Sequence, residues 1–188
     1  MFRFALLGTT IKSGLESSVK MWPSVRKQFS RQIVRADIVK KMIECGIRVA
    51  DDLRLYVGDV EVDYSAVARA VNVDRRVVKQ TVKQIRGNRF LNGLFSNLAP
   101  IGSSLVPVAS KLGYSAIVIE ADPRKSGVIA AVAGVLAKHD LVIRQALADD
   151  PDMVPEAKMT LVVEGSLSGK AMEDLNDLKL VKSIKILK

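Results

Sequence analysis

The chain has 188 residues, 48% hydrophobic and 5% aromatic, with a formal net charge of +9, which is enough length and apolar content for two small domains. Its one cysteine, Cys45, excludes an intramolecular disulfide and a cysteine-based zinc site, and its one histidine, His139, excludes a histidine-cluster metal site. No apolar run reaches membrane-spanning length, and Phe2–Leu7 is too short for a secretory core; the single cysteine favours a reducing compartment, and the expected one is the cytoplasm.

The charge is unevenly spread. Residues 1–113 hold 19 Lys/Arg against 9 Asp/Glu, a net of +10, while residues 114–188 hold 10 against 11, a net of −1. All of the excess positive charge therefore lies in the first part, the pattern of a segment that meets a polyanion.

Residues 1–20 interleave glycine, serine and threonine with apolar residues and show no sustained period. They read as an N-terminal arm or an upstream extension, with Met21 as an alternative start. Pro23 or Ser24 is suited to opening a helix. Arg31 to Cys45 reads as a helix on Val34, Ile38, Met42 and Ile43, with Gly46 as its C-terminal cap. Leu53–Val57 and Val60–Val62 flank Gly58-Asp59, a pair that suits a type II′ hairpin turn.

Tyr64 to Val71 reads as a short helix, Asn72-Val73 as a tight turn, and Asp74 as the N-cap of a second helix, Arg75 to Arg86. Asn is one of the few residues that tolerates the left-handed backbone such a turn needs. Val78, Val82 and Ile85 fall on the inward face. Ala68 and Val73 suit the crossing of two close helices. This arrangement resembles a helix-turn-helix. Its second helix carries Arg75, Arg76, Lys79, Lys83 and Arg86 with Gln80. The cations suit contact with phosphates, and Arg75, Arg76 and Gln80 lie near the helix start, where base edges come within reach. These six residues are the candidate DNA-binding set, and residues 21–87 the first domain.

Residues 88–113 read as a helical connector, with a short helix over Leu91–Leu98 and a second helix capped by Ser104. Leu91, Leu94, Phe95, Leu105, Val108 and Leu112 all call for burial. From residue 114 the order is strand (Ala116–Ile119), a turn at Asp122-Pro123, helix from Gly127, strand (Leu141–Ile143), strand (Lys158–Val163), helix (Ser168–Leu178) and strand (Val181–Leu187). That is a ferredoxin-like βαββαβ unit. A glycine before a helix N-terminus allows close ligand approach and favours an anionic group such as a carboxylate. His139 suits a helix C-terminus, and Asp149-Asp150-Pro151-Asp152 reads as a solvated hairpin loop.

Ala121-Asp122-Pro123, Ser126-Gly127-Val128-Ile129 and Leu141-Val142-Ile143-Arg144-Gln145-Ala146 together resemble an ACT domain, a regulatory module that binds amino acids at a dimer interface. Over Met21–Leu187 the chain resembles archaeal ACT-domain proteins described as predicted regulators of amino-acid metabolism. Asp74-Arg75-Arg76-Val77-Val78 and Ser96-Asn97-Leu98-Ala99-Pro100-Ile101 also carry that likeness, together with Ile143-Arg144-Gln145-Ala146 and Asp149-Asp150-Pro151-Asp152. The resemblance implies an amino-acid ligand held by Asp122, Lys125, Ser126, Gly127, Val128, Ile129, Val142, Arg144 and Gln145. It also implies a homodimer or higher homo-oligomer formed through residues 114–188.

The expected fold class is α+β, and the expected function is an amino-acid-responsive transcription regulator. The alternative is a regulator that does not bind DNA and docks on an amino-acid biosynthetic enzyme. No catalytic residue, cofactor or metal is expected.

Overall fold

A computed structural model describes residues 20–187. The expectations for an N-terminal arm and for the start of the chain concern residues 1–19 and lie outside the described residues. The architecture is α+β, as the residue patterns predict: helices with a small hairpin first, then a four-stranded sheet backed by two helices.

The first unit opens with α1 (Met21–Gln28), α2 (Ile33–Glu44), β1 (Ile47–Val49), β2 (Leu55–Val57) and β3 (Val60–Val62). It continues with α3 (Tyr64–Ala70), α4 (Arg75–Gly87) and α5 (Arg89–Phe95). Val57 pairs with Val60 across the two-residue Gly58-Asp59 loop, and Gly58 alone of the pair has a positive φ, of 58°. That matches the type II′ turn, because a type I′ turn needs both residues there. The strand β1 has no counterpart in the sequence reading, since three residues are too short to show a period of two.

One core unites these elements. Ile38, Val39 and Met42 of α2 bury against Val78, Val82 and Ile85 of α4 and against Leu91 and Phe95 of α5. Each such large side chain contributes roughly 1.5–3 kcal/mol by leaving water. Val34, expected inside, is exposed, and Val39 takes the inner position. Ile38 and Met42 keep the inward places that the four-residue spacing gives them, and the buried stripe begins one turn later than expected.

The connector leaves α5 and runs over the first unit before reaching the second. A Cβ placed on Gly46 would lie 2.5 Å from the Pro100 nitrogen, so the connector backbone crosses directly over that glycine. Gly46 also holds φ at 63°, which only glycine adopts freely. In place of a capped helix, the connector forms two 3-10 turns, Val106–Val108 and Ser110–Leu112. Ser104 Oγ accepts from the Val106 N–H at 3.3 Å. Pro107 limits the helical hydrogen bonding here. Val108 and Leu112, expected inside, are exposed, while Leu105 and Val106 pack beside buried Ala109.

The second unit is β4 (Tyr114–Ala121), α6 (Val128–Lys138), β5 (Ile143–Ala148), β6 (Met159–Glu164), α7 (Gly169–Asn176) and β7 (Val181–Leu187). The strand order is β5-β6-β4-β7, antiparallel throughout, which is the ferredoxin-like topology expected of βαββαβ. Alternation in β4 sends Ile117 and Ile119 to the helix-covered face, where Val132, Leu136, Leu161 and Leu175 complete the core. The opposite face buries Ala116 and Val162 under Leu105, Val106 and Ala109 of the connector.

The second strand begins at Ile143, two residues later than read. Asp140 at φ 55° and the Leu141 N–H bonded to the Leu136 carbonyl at 3.0 Å form a Schellman cap that takes up Leu141. Ser168 caps α7 through the Ala171 N–H at 3.1 Å, and His139, the C-cap of α6, bonds Asp174 of α7 at 2.8 Å.

Gly46→Ala is expected to destabilise the chain by about 2 kcal/mol or more in urea unfolding, because the left-handed backbone and the missing clearance both oppose a Cβ.

Candidate nucleic-acid interface and ligand cavity

The turn between α3 and α4 is built from local chemistry. Asp63 starts α3 by accepting from the Ser65 and Ala66 N–H groups at 2.6 and 2.9 Å, and those two amides, Ala66's first, hold its carboxyl below the usual carboxylate range. At the far end Asn72 sits at φ 53°. The Val73 N–H reaches the Ala68 carbonyl at 3.0 Å and the Asn72 N–H the Arg69 carbonyl at 3.3 Å, a second Schellman cap. Asp74 then accepts from the Arg76 N–H at 2.6 Å and starts α4.

The inward arc of α4 is Val78, Thr81, Val82 and Ile85, all buried; Thr81 is satisfied by donating to the Val77 carbonyl at 2.8 Å. Successive residues turn by about 100°, so Arg76, Lys79, Gln80 and Lys83 share the opposite arc, and all four are exposed. Arg75 is exposed beside them. The helix carries no acidic residue.

Two members of the candidate set have partners inside the domain. Arg86 is half-buried, 2.6 Å from the Asp51 carboxylate, and donates to Asn92 Oδ1 at 2.6 Å. It ties α4 to the β1–β2 loop and to α5, whereas the spacing had placed it with the phosphate-facing cations. The Gln80 oxygen accepts from Arg35 of α2 at 2.9 Å, and the same guanidinium holds Gln84 at 2.6 Å.

The second feature is a cavity of about 510 Å³ at the N-terminus of α6. Gly127 at φ 89° precedes the helix, and no side chain caps its first turn. The free N–H groups and the positive end of the helix dipole therefore favour an anion. Lys125, Ser126, Gly127, Val128 and Ile129 line the cavity, as does Ala130, with a floor of Ile119, Ala121, Ala148 and Met159. Asp149, Ala157 and Lys158 close its side. Asp149 Oδ2 accepts from the Lys158 N–H at 3.1 Å, which fixes a carboxylate across from the helix start.

The remaining candidates lie elsewhere. Asp122 Oδ1 accepts from the Arg124 N–H at 3.1 Å and shapes the turn before the cavity. The Val142 carbonyl accepts from the Glu164 N–H, while Ala148 pairs with Met159 at the other end of β5. Six residues of strand separate Val142 from Ala148, about 20 Å. Arg144 pairs with Glu164 at 3.0 Å and lies over the Tyr114 ring. Gln145 is used by the connector: its oxygen accepts from the Leu105 N–H and its amide donates to the Ser103 carbonyl, both at 2.8 Å. Within one chain, then, Lys125 to Ile129 gather at the cavity, whereas Val142 and the β5 residues Arg144 and Gln145 lie away from it along the sheet.

Ala148, Asp149, Ala157, Lys158 and Met159 also line the cavity, although Asp149 reads in the sequence as part of a hairpin loop, Lys158 and Met159 as part of a strand, and none of the five as a ligand residue. Their signal was topological: in this strand order the end of β5 and the start of β6 lie beside the end of β4. Among the described residues no group of three or more His, Cys, Asp or Glu side chains could hold a metal ion, and no helix is long and apolar enough to cross a membrane.

No family model matches the chain, and no curated protein matches its sequence. Among solved structures, the crystal structure of PH0061 aligns at 12% identity over 82% of this chain and 88% of that one, with a TM-score of 0.27. The transcriptional regulatory protein PF0864 from Pyrococcus furiosus, described as a member of the AsnC family, aligns at 10% identity over 83% of this chain and 86% of its own, with a TM-score of 0.26. At scores this low neither likeness assigns a function to the chain.

Arg86→Ala is expected to cost about 1 kcal/mol in chemical denaturation, because it opens the Asp51 and Asn92 contacts. Lys79→Ala, on the free face, should leave the unfolding midpoint within about 0.5 kcal/mol of the parent.

Proposed function

We propose that the chain is a DNA-binding transcription regulator that senses an amino acid or a closely similar small zwitterion. The observation that carries this reading is the outward arc of α4: Arg76, Lys79, Gln80 and Lys83, all exposed, flanked by Arg75 and opposed by no acid on the same helix. Such a face matches the phosphate backbone in charge, and a helix of this diameter fits the major groove. Gln80, its oxygen held by Arg35, keeps its amide N–H groups for the nucleic acid.

The cavity supplies the sensing half of the proposal. The free N–H groups at the start of α6, with Lys125 beside them, receive a carboxylate; Asp149 receives an ammonium; and Ile119, Val128, Ile129 and Met159 surround a side chain. Its volume suits a small molecule.

The proposed assembly is a homodimer through β5, whose outer edge has no strand beside it among the described residues and therefore offers a row of backbone donors and acceptors. Val142 and Ile143 at the start of this strand are exposed, as is Ile129, which lines the cavity with Ala148 at the strand's end. Antiparallel pairing of two β5 strands about Gln145 sets Val142 of the partner subunit against Ala148. The two groups of candidate ligand residues then meet across the twofold axis.

Arg76→Ala combined with Lys79→Ala is expected to weaken binding to duplex DNA and to lower the slope of log affinity against log salt by about two, measured by fluorescence anisotropy. Unchanged binding and slope would remove α4 from the interface. For the cavity, one amino acid at about 100 times its dissociation constant should raise folded-state stability by roughly 2.7 kcal/mol in a thermal panel of all twenty. A flat panel would sink the sensing half of the proposal and leave the DNA half standing.

A further inference from the structure

We propose that the β5–β6 loop, residues 149–158, links the cavity mechanically to the first unit, and that filling the cavity lifts this loop away from α1. The proposal rests on the cavity being the ligand site, but its test needs no ligand. Both ends of the loop, Asp149 and Ala157-Lys158, line the cavity. Its middle leans on the first unit. Pro151, Asp152 and Met153 on one side and Trp22, Arg26 and Phe29 on the other bound a cleft of about 370 Å³.

Asp152 is the pivot. Its carboxylate lies 3.3 Å from the Lys20 ammonium at the start of α1, and 3.7 Å from the Arg124 guanidinium in the turn before α6. Its side chain is only 20% exposed. A carboxylate so covered needs its cations, and one of the two rides on the turn that a cavity ligand would touch.

The loop is also stiff enough to carry a displacement. Asp150 Oδ1 accepts from the Asp152 N–H at 2.8 Å, and the Asp150 carbonyl accepts from the Met153 and Val154 N–H groups at 3.0 Å. Beyond α1 the contact continues to the candidate DNA helix. The Gln28 carbonyl accepts from Gln84 at 3.5 Å, and its side-chain oxygen accepts from Asn88 at 3.1 Å. A loop with a docked and a released position, biased by the cavity at one end and by α1 at the other, meets the requirement for coupling between two sites.

Trp22 is the only tryptophan in the chain and lines the cleft against the loop, so its emission reports docking directly. Acrylamide quenching of Trp22 is measured on the full chain for the parent, for Asp152→Ala, which removes the pivot, and for Ala130→Phe and Ala148→Phe. The last two place a ring in the cavity from two different elements, so misfolding of either leaves the other. The quenching constant is expected to rise about twofold in Asp152→Ala and to move toward that value in the filled variants. A parent-like constant in Asp152→Ala overturns the docking. A raised constant in Asp152→Ala with a parent-like one in folded filled variants overturns the coupling. Neither result depends on the amino-acid panel, which tests the cavity as a sensor.

Discussion

The placement of the connector is the constraint on which the two units depend. The connector touches the first unit where Pro100 crosses Gly46, and no side chain fits between them. It touches the second where the Gln145 amide spans Ser103 and Leu105 like a rung of sheet pairing, and where Ala109 covers Ala116 and Val162. One absent side chain and one fully used one thus tie the connector to both units.

The ferredoxin-like topology then decides what surrounds the start of α6. Because β6 lies between β5 and β4, the loop joining β5 to β6 runs past the end of β4 and next to the helix start. Apolar side chains from β4, β5 and β6 make the floor, and the charged groups come from the turns. A cavity with an apolar base, a cationic mouth and one carboxylate across it is a natural product of this strand order. The same loop is long enough to reach α1. Its acidic stretch, which reads in the sequence as a solvated hairpin loop, holds Asp152 largely covered between Lys20 and Arg124.

The elements with strong local chemistry were legible in the sequence. Asn72, Asp74, Gly58-Asp59, Ser168 and the closing strand Val181–Leu187 stand where their residue types placed them, because caps and tight turns are decided by neighbours a few residues apart. What was not legible depends on distant partners. Arg86 reads like its basic neighbours until Asp51 and Asn92 are brought to it. Gln145 looks available until the connector crosses it. The exposure of Val34 on α2 and the late start of β5 come from packing and from a cap that competes for Leu141. The cavity wall from β5 and β6 is a property of the sheet and has no local motif.

The division of charge has a consequence for handling the molecule. Residues 114–188 carry a net of −1, and they include a strand edge that is unpaired among the described residues and the exposed Ile129, Ala130 and Ala137 on a helix face without charge. A unit of that kind has almost no electrostatic repulsion to keep its copies apart. Joined to residues 1–113, with a net of +10, it gains the colloidal repulsion that it lacks. The basic segment thus acts as a built-in solubility tag, and a polyanion that neutralises it also removes the barrier to self-association.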